Sequence, residues 1–360
     1  MIKTLDLYIL RKFFISLAVV SVAVTVLIIA INMVEELKDF VDNDVPAGDI
    51  AEYYLYFSGW AVKSFLPVFV FLAGLFTVGS LARNNELRAM KAGGVSLYRI
   101  AAPLIAAAVL ISMAHFYYNE FIFPPANKRR VELKSFTIEK RPRSSVVNRY
   151  NLYRQVSDSV YYVIDKYNIP ERIGYGIKLY RRDRNRLGEF ITARSMNFKH
   201  GYWTLVDGAR HVFDAAGIIE FSTFDSLTEP LIKDRPSEFE RHLGKPEDMS
   251  YRELQDYITL MKRTGGPYLR ELVDLKVKVT FPMTTIVVMI MCIPLAANPG
   301  RGGVAATLAV AAGLMLVYLV MFKVTKVLGA NDYLPPDLAA WSVNGAFFIV
   351  GVLMNVFSER

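Results

Sequence analysis

Six long apolar stretches constrain the fold of this 360-residue chain more than any other feature. Each is close to the ~20 residues that a helix needs to cross ~30 Å of hydrocarbon. A long polar segment separates the first three stretches from the last three. The sequence therefore predicts a membrane α-helical protein of six transmembrane helices, with a large extramembrane domain inserted between helices 3 and 4. The predicted spans are Phe13–Val34, Trp60–Leu81, Ile100–Tyr117, Val279–Ala297, Val304–Phe322 and Leu338–Phe357.

Three regions follow from this layout: 1–122 with transmembrane helices 1–3, 123–270 as the inserted domain, and 271–360 with helices 4–6. Six crossings put both termini on one side of the membrane. The short loops on that side are rich in Lys and Arg. The first loop on the other side, Glu35–Glu52, is acidic, and Lys38 is its only basic residue. Because Lys and Arg in short loops mark the cytoplasmic face, we expect cytoplasmic termini and an external insert, which in a bacterium with two membranes would be periplasmic and belong to an inner-membrane protein.

The net charge of +8 is not spread along the chain. The stretch from Phe123 to Arg270 contains 27 Lys and Arg against 19 Asp and Glu, which leaves 15 of each elsewhere. The excess of positive charge therefore belongs to the external domain, where an anionic lipid or glycolipid is a better partner than a nucleic acid. A solvated basic surface is the alternative interpretation. The lone cysteine, Cys292, lies in an apolar span and predicts neither a disulfide nor a thiolate metal site.

Short segments of β-branched and aromatic residues replace the membrane pattern inside the insert. Turn-forming residues, among them Asp207-Gly208, separate them at intervals of about ten residues, which is typical of an all-β sandwich, jellyroll or barrel. The predicted strands are Val160–Ile164, Ile177–Tyr180, Phe190–Ala193, Trp203–Val206 and Ile218–Phe221. Farther along, Ser250–Lys262 has helical periodicity, with Ser250 placed to cap the helix ahead of Glu253.

The loop between the second and third spans, about 82–94, contains good helix formers and ends at Gly93-Gly94. A short helix parallel to the membrane would place Leu87 and Met90 on one side, with Glu86 and Arg88 on others. That arrangement suits a plug into a groove on a cytoplasmic partner. An interfacial helix whose cations meet lipid phosphates is the alternative.

Helix rise converts sequence separation into depth and places several cations at the outer edge of the membrane. Lys63 lies 20 residues from Arg83, which is about 30 Å along a helix. An ammonium at that level is costly unless it snorkels or binds an anion such as a headgroup phosphate. Lys63, inside its apolar run, is the strongest candidate for binding such an anion, and snorkelling to ordinary lipid phosphates is the alternative for each lysine. The further candidates are Lys38, Lys276, Lys278, Lys323, Lys326, Arg129 and Arg130.

Two other patterns in the spans concern helix packing. Ala305, Ala309 and Gly313 repeat at a spacing of four on the fifth span, and small residues let helix backbones approach closely. This stripe predicts either a contact or gate with a partner protein or packing inside the chain. His115 and Glu120 are expected to satisfy hydrogen bonds between elements rather than to carry protons.

Stretches along the whole chain resemble a known family. The run Asn85–Ser96, followed by Pro103, is similar to the NELxAxxAxGxS motif of the LptF/LptG lipopolysaccharide export permeases, with Gly93-Gly94 where that family more often has Ala-Gly. The Glu35-Glu36-Leu37 stretch and the Leu334–Trp341 stretch favour one of the two branches. Further similar stretches are Met249–Leu254, Lys278–Pro282 and Gly300–Gly303.

The resemblance implies half of an ABC transporter that extracts lipopolysaccharide from the outer leaflet, with the all-β insert as a jellyroll-like domain that passes the lipid onward. A second LptF/LptG-type permease would pair with the chain, a cytoplasmic LptB ATPase dimer would supply the energy, and LptC-like and LptA-like periplasmic bridge proteins would receive the lipid. The loop helix would be the coupling helix, with Glu86 paired to an ATPase arginine. ATP and Mg would belong to that ATPase, since this chain has no GxxxxGK[ST] loop. No cofactor, metal or catalytic residue is expected in the chain itself.

Two other classes compete with this interpretation. A secondary transporter needs ionisable residues near the bilayer midplane for coupling, and the six apolar stretches show none there. A membrane-anchored periplasmic binding or assembly protein needs neither the outer lysines nor a coupling-like loop.

Overall fold

The computed structural model describes residues 4–140, 148–157, 159–183, 186–199, 201–214, 217–230, 249–264, 268–297 and 303–358, together with residues 232, 235, 236 and 239. The chain divides into two compact units. We call the first the helical unit (Met1–Lys134, Pro246–Leu254 and Leu269–Arg360) and the second the sheet unit (Ser135–Lys245 and Gln255–Tyr268).

Within the described ranges, six helices are long and apolar enough to cross a membrane, as predicted. All six exceed the predicted spans, because helical hydrogen bonding continues beyond the hydrocarbon core. Lys276 and Lys278 therefore lie within a helix, as do Lys323 and Lys326. The helices are α1 (Thr4–Asp42), α2 (Ala47–Arg83), a short α3 (Glu86–Ala92), α4 (Leu97–Tyr117), α5 (Phe123–Glu132), α6 (Tyr251–Thr264), α7 (Leu269–Ala297), α8 (Gly303–Ala330) and α9 (Pro336–Ser358). Two π-helical turns, π1 (Tyr118–Ile122) and π2 (Leu133–Ile138), flank α5.

Helix ends follow from local sequence. Asn85 adopts a left-handed conformation with φ 59° and separates α2 from α3. Gly94, with φ 82°, follows the C-terminal end of α3, where a side chain would be strained. The hydroxyl of Ser96 then caps α4 by accepting from the backbone N–H of Arg99.

The predicted cap of α6 is confirmed as a reciprocal capping box. Ser250 Oγ accepts from the backbone N–H of Glu253, and Glu253 Oε2 accepts from the backbone N–H of Ser250 at 2.8 Å. The second of these hydrogen bonds holds the pKa of Glu253 below its ordinary value. The observed helix extends to Thr264, slightly beyond the predicted end at Lys262.

Helix α7 lies at the centre of the helical unit, in contact with α2, α4, α8 and α9. Its buried residues include Val288, Met289 and Ile293. By contrast, only 6% of the most apolar window of α1 is buried within the chain. Helix α1 therefore presents most of its apolar surface outward.

The sheet unit contains one antiparallel sheet whose six described strands are ordered β1 to β6 as in the sequence. All five predicted strand segments lie within it, which confirms an antiparallel β-sheet region; an all-β domain with a jellyroll-like closure remains a prediction. The first strand was not predicted. The strands are β1 (Asn148–Ser157), β2 (Val160–Asn168), β3 (Ile173–Asp183), β4 (Arg186–Lys199), β5 (Tyr202–Asp214) and β6 (Gly217–Glu229).

The turn predicted at Asp207-Gly208 is wrong, because β5 continues through it. Asp207 has φ 55°, so the strand bends without ending. A Cβ atom at Gly208 would lie 2.3 Å from the carbonyl oxygen of Thr192 and 2.4 Å from the ring of Phe224. The glycine therefore permits close packing across the strands.

Opposite faces of the sheet differ in character. One face is the core, where Leu179, Met196 and Trp203 are fully buried. A ladder of rings crosses neighbouring strands through directly paired positions, beginning with Tyr161 stacked on Tyr180 at 4.7 Å. It continues through Phe190, His211 and Phe221. Such cross-strand pairs fix the register of the sheet.

Candidate functional site

A cavity of about 220 Å³ in the helical unit brings together three of the predicted lysines. Lys63 comes from α2, Lys278 from α7 and Lys326 from α8. Three long helices, each rigid by its own hydrogen bonding, thus deliver one ammonium group each to a common volume. The described residues that line it are Trp60, Lys63, Ser64, Asn119, Asp274, Val277, Lys278, Phe281 and Lys326.

Lys63 is held among aromatic and polar neighbours. Its Nζ atom lies 3.8 Å from the ring centroid of Phe123, a cation–π distance. The backbone carbonyl of Lys63 lies 3.0 Å from His115 Nε2. The predicted structural role of His115 is thereby confirmed, and the turn of α2 that carries Lys63 is fixed to α4.

Two of the predicted lysines form ion pairs within the chain. Lys326 Nζ lies 2.6 Å from Asp274 Oδ1, and the carboxylate side chain is largely buried. Lys276 Nζ lies 2.8 Å from Asp337 Oδ1 and does not line the cavity. Asp274 was not predicted, although its position four residues before Lys278 places both on one side of a helix.

The remaining predicted cations lie outside the cavity. Lys38 and Lys323 are exposed. Arg129 Nε donates to Glu52 Oε1 at 2.9 Å, and Arg130 Nε donates to Asn127 Oδ1 at 2.8 Å. The described lining residues include three ammonium groups and one carboxylate, a set that suits a phosphate or carboxylate of a ligand.

Helix α3 is attached to α1 through Glu86. Its carboxylate accepts from Tyr8 Oη at 2.6 Å and from Lys12 Nζ at 2.9 Å. The hydrogen bond from Tyr8, followed by that from Lys12, lowers the pKa of Glu86 below its ordinary value. A second ion pair joins Asp6 of α1 to Arg99 of α4 at 2.6 Å. The N-terminal part of α1 is thus anchored to α3 through Glu86 and to α4 through Arg99.

The apolar side of α3 is not available as the predicted plug. Leu87 is only 3% exposed because it packs in the core of the helical unit, and Met90 packs against the same core. Arg88 is directed elsewhere and donates to Asn85 Oδ1 at 3.3 Å. The surface that α3 offers outward is therefore polar.

Small residues on α8 face away from the chain. Ala309 and Gly313 are exposed, and a Cβ atom added at Gly313 would meet nothing within 4 Å. The side chain of Ala305 lies outside the described part of the structure. Of the two interpretations of this stripe, internal packing does not apply to Ala309 and Gly313.

The sheet unit contains a larger cavity, of about 660 Å³, formed partly by the β2–β3 and β4–β5 turns. Arg172 and Arg235 line it beside Phe198, Tyr202 and Ile232. Guanidinium groups beside apolar side chains suit a ligand with an anionic end and an apolar body. In the described ranges, no cluster of three or more His, Cys, Asp or Glu side chains could hold a metal ion.

Comparison with known proteins extends the resemblance to nearly the whole chain. The family model described as lipopolysaccharide export system permease LptF/LptG matches residues 7–355. The lipopolysaccharide export system permease protein LptG of Escherichia coli K12 is 21% identical over 357 residues, covering 97% of this chain and 96% of the relative. LptG of Escherichia coli O6:H1 strain CFT073 is similar to the same extent.

Proposed function

This chain belongs to the LptF/LptG family of lipopolysaccharide export permeases, and we propose that it is the LptG-type half of an ABC transporter in the bacterial inner membrane. As a family member it is a non-catalytic, multi-pass membrane subunit of lipopolysaccharide export. In the proposed complex it pairs with a second LptF/LptG-type permease. A cytoplasmic LptB ATPase dimer, which holds ATP and Mg, drives extraction of lipopolysaccharide from the outer leaflet.

The observation that carries the proposal is the convergence of Lys63, Lys278 and Lys326 on one cavity. From its distance of about 30 Å along the helix to Arg83, Lys63 is at the outer edge of the hydrocarbon core. Headgroup phosphates lie at that level. We assign the cavity to a phosphate of the lipid A headgroup, with Lys63 and Lys278 as its principal donors.

Lys326 takes part in a different way, because Asp274 already neutralises it. An arriving phosphate would compete with Asp274 for Lys326 and so loosen a link between α7 and α8. Binding of the headgroup at this cavity would then favour movement of α8. Such a displacement turns binding energy into a conformational change.

Energy enters the chain through α3 in the proposed complex. With both termini cytoplasmic, α3 lies on the cytoplasmic face, where its outward polar surface can contact the LptB dimer. Glu86 links α3 to Tyr8 and Lys12 of α1. A displacement of α3 would therefore be passed to α1, whose apolar surface is mostly exposed.

The sheet unit would lie in the periplasm and pass the lipid onward. Among the described strands, β1 and β6 each have a neighbour on one side only. An edge strand offers unpaired backbone groups to which a partner strand can be added. We assign these edges to LptC-like and LptA-like bridge proteins, which would extend the sheet away from the membrane.

The test is affinity purification of the tagged full-length chain from its native membrane, with mass spectrometry of the proteins and lipids that accompany it. We expect a second six-span permease, an ATPase and lipopolysaccharide. Lys63→Glu and Lys278→Glu should each lower the bound lipopolysaccharide about tenfold, the loss expected for one charge-assisted contact. Co-purification of the two partner proteins should be unchanged.

Lys128→Glu is the matched control, since Lys128 is exposed and lies outside the cavity. It should retain lipopolysaccharide at the level of the unaltered chain. Recovery of neither ATPase nor glycolipid would refute the transporter role. Equal loss of lipid from all three variants would instead refute the assignment of the cavity.

A further inference from the structure

Asn119 is a polar residue that lines the cavity of Lys63, Lys278 and Lys326. The residue is only 9% exposed. Its Oδ1 atom is shielded from solvent and has no hydrogen-bond partner among the described residues. A buried carbonyl oxygen without a donor costs free energy in the folded protein. A group retained at such a cost is a candidate for binding a ligand.

The backbone around Asn119 is held in place on both sides. The residue belongs to the π-helical turn Tyr118–Ile122, and such turns are frequent at functional sites. Tyr118 Oη donates to the carbonyl oxygen of Gly59 at 3.0 Å. Glu120 Oε1 accepts from the backbone N–H of Tyr251 at 2.6 Å. Asn119 is thus positioned between two anchored neighbours.

The charged groups of the cavity offer a ligand mainly hydrogen-bond donors. Lysine ammonium groups only donate hydrogen bonds and suit a phosphate. The carboxylate of Asp274, which could accept, is already engaged with Lys326. Asn119, which lines the same cavity, therefore carries an unpaired acceptor near the donors that would hold the phosphate. A ligand that pairs with both the lysine donors and the Asn119 acceptor needs a phosphate and a nearby N–H or O–H group.

We propose, on the basis of the export role above, that Asn119 is a specificity residue that accepts a hydrogen bond from an amide or hydroxyl group next to the headgroup phosphate. The cavity thereby selects a phosphorylated, acylated amino sugar over a phospholipid whose phosphate lacks such a donor. Its volume of about 220 Å³ suits part of a headgroup rather than a whole glycolipid. A site with a buried acceptor rejects ligands that leave this acceptor unpaired.

The test compares two lipids on the full-length chain in phosphatidylcholine nanodiscs. One is a fluorescent diphosphorylated, N-acylated glucosamine disaccharide lipid, and the other is phosphatidic acid. Asn119→Leu should weaken binding of the sugar lipid about tenfold and leave binding of phosphatidic acid within about twofold. Asn119→Ala should act in the same direction. Lys63→Met should weaken binding of both lipids.

Thermal unfolding separates a binding role from a structural one. Because Asn119→Leu removes a buried acceptor without a partner, its unfolding midpoint should equal or exceed that of the unaltered chain. Lower midpoints for both Asn119 variants, or equal loss of both lipids, would overturn the specificity role while the phosphate site stands. If Lys63→Met changes the binding of neither lipid, the assignment of the cavity to a headgroup phosphate is wrong, and this inference fails with it.

Discussion

The phenol oxygen of Tyr8 lies 2.6 Å from Oε2 of Glu86, and this hydrogen bond joins the short helix α3 to the long helix α1. Lys12 donates to the same carboxylate from the next turn of α1. The family resemblance predicts a salt bridge from Glu86 to an ATPase arginine. In the structure, residues of the same chain occupy that carboxylate, so two roles for Glu86 can be separated by experiment.

A charge swap distinguishes these roles. Lys12→Glu and Glu86→Lys alone should each lower ATP-driven lipopolysaccharide release from proteoliposomes about tenfold, and the double variant should recover most of the loss because the ion pair is restored with reversed sign. Lys91→Glu, on the exposed surface of the same helix, is the control. If the double variant remains as inactive as Glu86→Lys, the essential contact of Glu86 is with a partner protein.

The α1–α3 link should be insensitive to pH near neutrality. Tyr8 and Lys12 lower the pKa of Glu86 below 4.5. A carboxylate with a lowered pKa stabilises the folded arrangement above its ordinary pKa, and this stabilisation disappears only as the pH falls through the lowered value. Spin-label distances between α1 and α3 in nanodiscs should therefore be constant from about pH 8 down to about pH 5. In Glu86→Gln the distances should broaden at every pH, and a transition centred above pH 5 in the unaltered chain would contradict this assignment.

The grouping of three lysines could be predicted from the sequence, but their pairings could not. Helix rise predicted that Lys63, Lys278 and Lys326 lie at a similar level, and in the structure all three line one cavity. Sequence separation carries no information on how each helix is rotated toward its neighbours. For that reason the ion pair between Lys326 and Asp274 was missed.

Strong local patterns gave the right elements wherever tertiary packing agreed with them. The capping box at Ser250 and Glu253 needs only residues three apart, and it was predicted correctly. Asp207-Gly208 has the composition of a turn, yet neighbouring strands on both sides keep β5 paired through it. Leu87 looked like a surface anchor because the core that covers it comes from distant parts of the chain.

The buried charges of the sheet unit should contribute strongly to its stability. Arg181 contacts Glu189 at 2.5 Å and Glu229 at 2.7 Å, and Arg210 also donates to Glu189. Both carboxylate side chains are less than 10% exposed. Glu229→Gln removes one partner of a buried ion pair and should cost about 3 kcal/mol. Hydrogen exchange of the β3–β6 amides in the full-length chain measures the loss.

The exposed pair Arg194–Asp207 supplies the control for that measurement. Its side chains are 82% and 71% exposed and 3.6 Å apart. Because solvent screens such a pair, Arg194→Gln should change the free energy of unfolding by less than about 0.5 kcal/mol. Similar losses from Glu229→Gln and Arg194→Gln would show that the buried cluster is not specially stabilising.

A buried polar cluster should hold α7, α8 and α9 together. Tyr318 Oη donates to Asn344 Oδ1 at 2.6 Å and lies 2.7 Å from Thr284 Oγ1. Asn344 Nδ2 donates to the carbonyl oxygen of Thr280 at 2.9 Å. Tyr318→Phe should cost about 1 kcal/mol, a typical value for a hydrogen bond between membrane helices. Unfolding in mixed micelles measures this loss of stability. Asn331→Ala, at an exposed position, is the control and should change the free energy of unfolding by less than about 0.5 kcal/mol.

Two glycines separate packing within the chain from contact with a partner. A Cβ atom at Gly74 would lie 2.5 Å from Cys292 Sγ, so Gly74→Ala should push α2 away from α7 and cost about 1–3 kcal/mol. A Cβ atom at Gly313 meets nothing within 4 Å, and Gly313→Leu should leave the unfolding of the isolated chain unchanged. The stripe of Ala309 and Gly313 on α8 is proposed to contact the second permease. In that case the leucine of Gly313→Leu would hold the two helix backbones apart, and co-purification of that permease should fall about tenfold. Undiminished pairing in Gly313→Leu would instead assign this face of α8 to lipid.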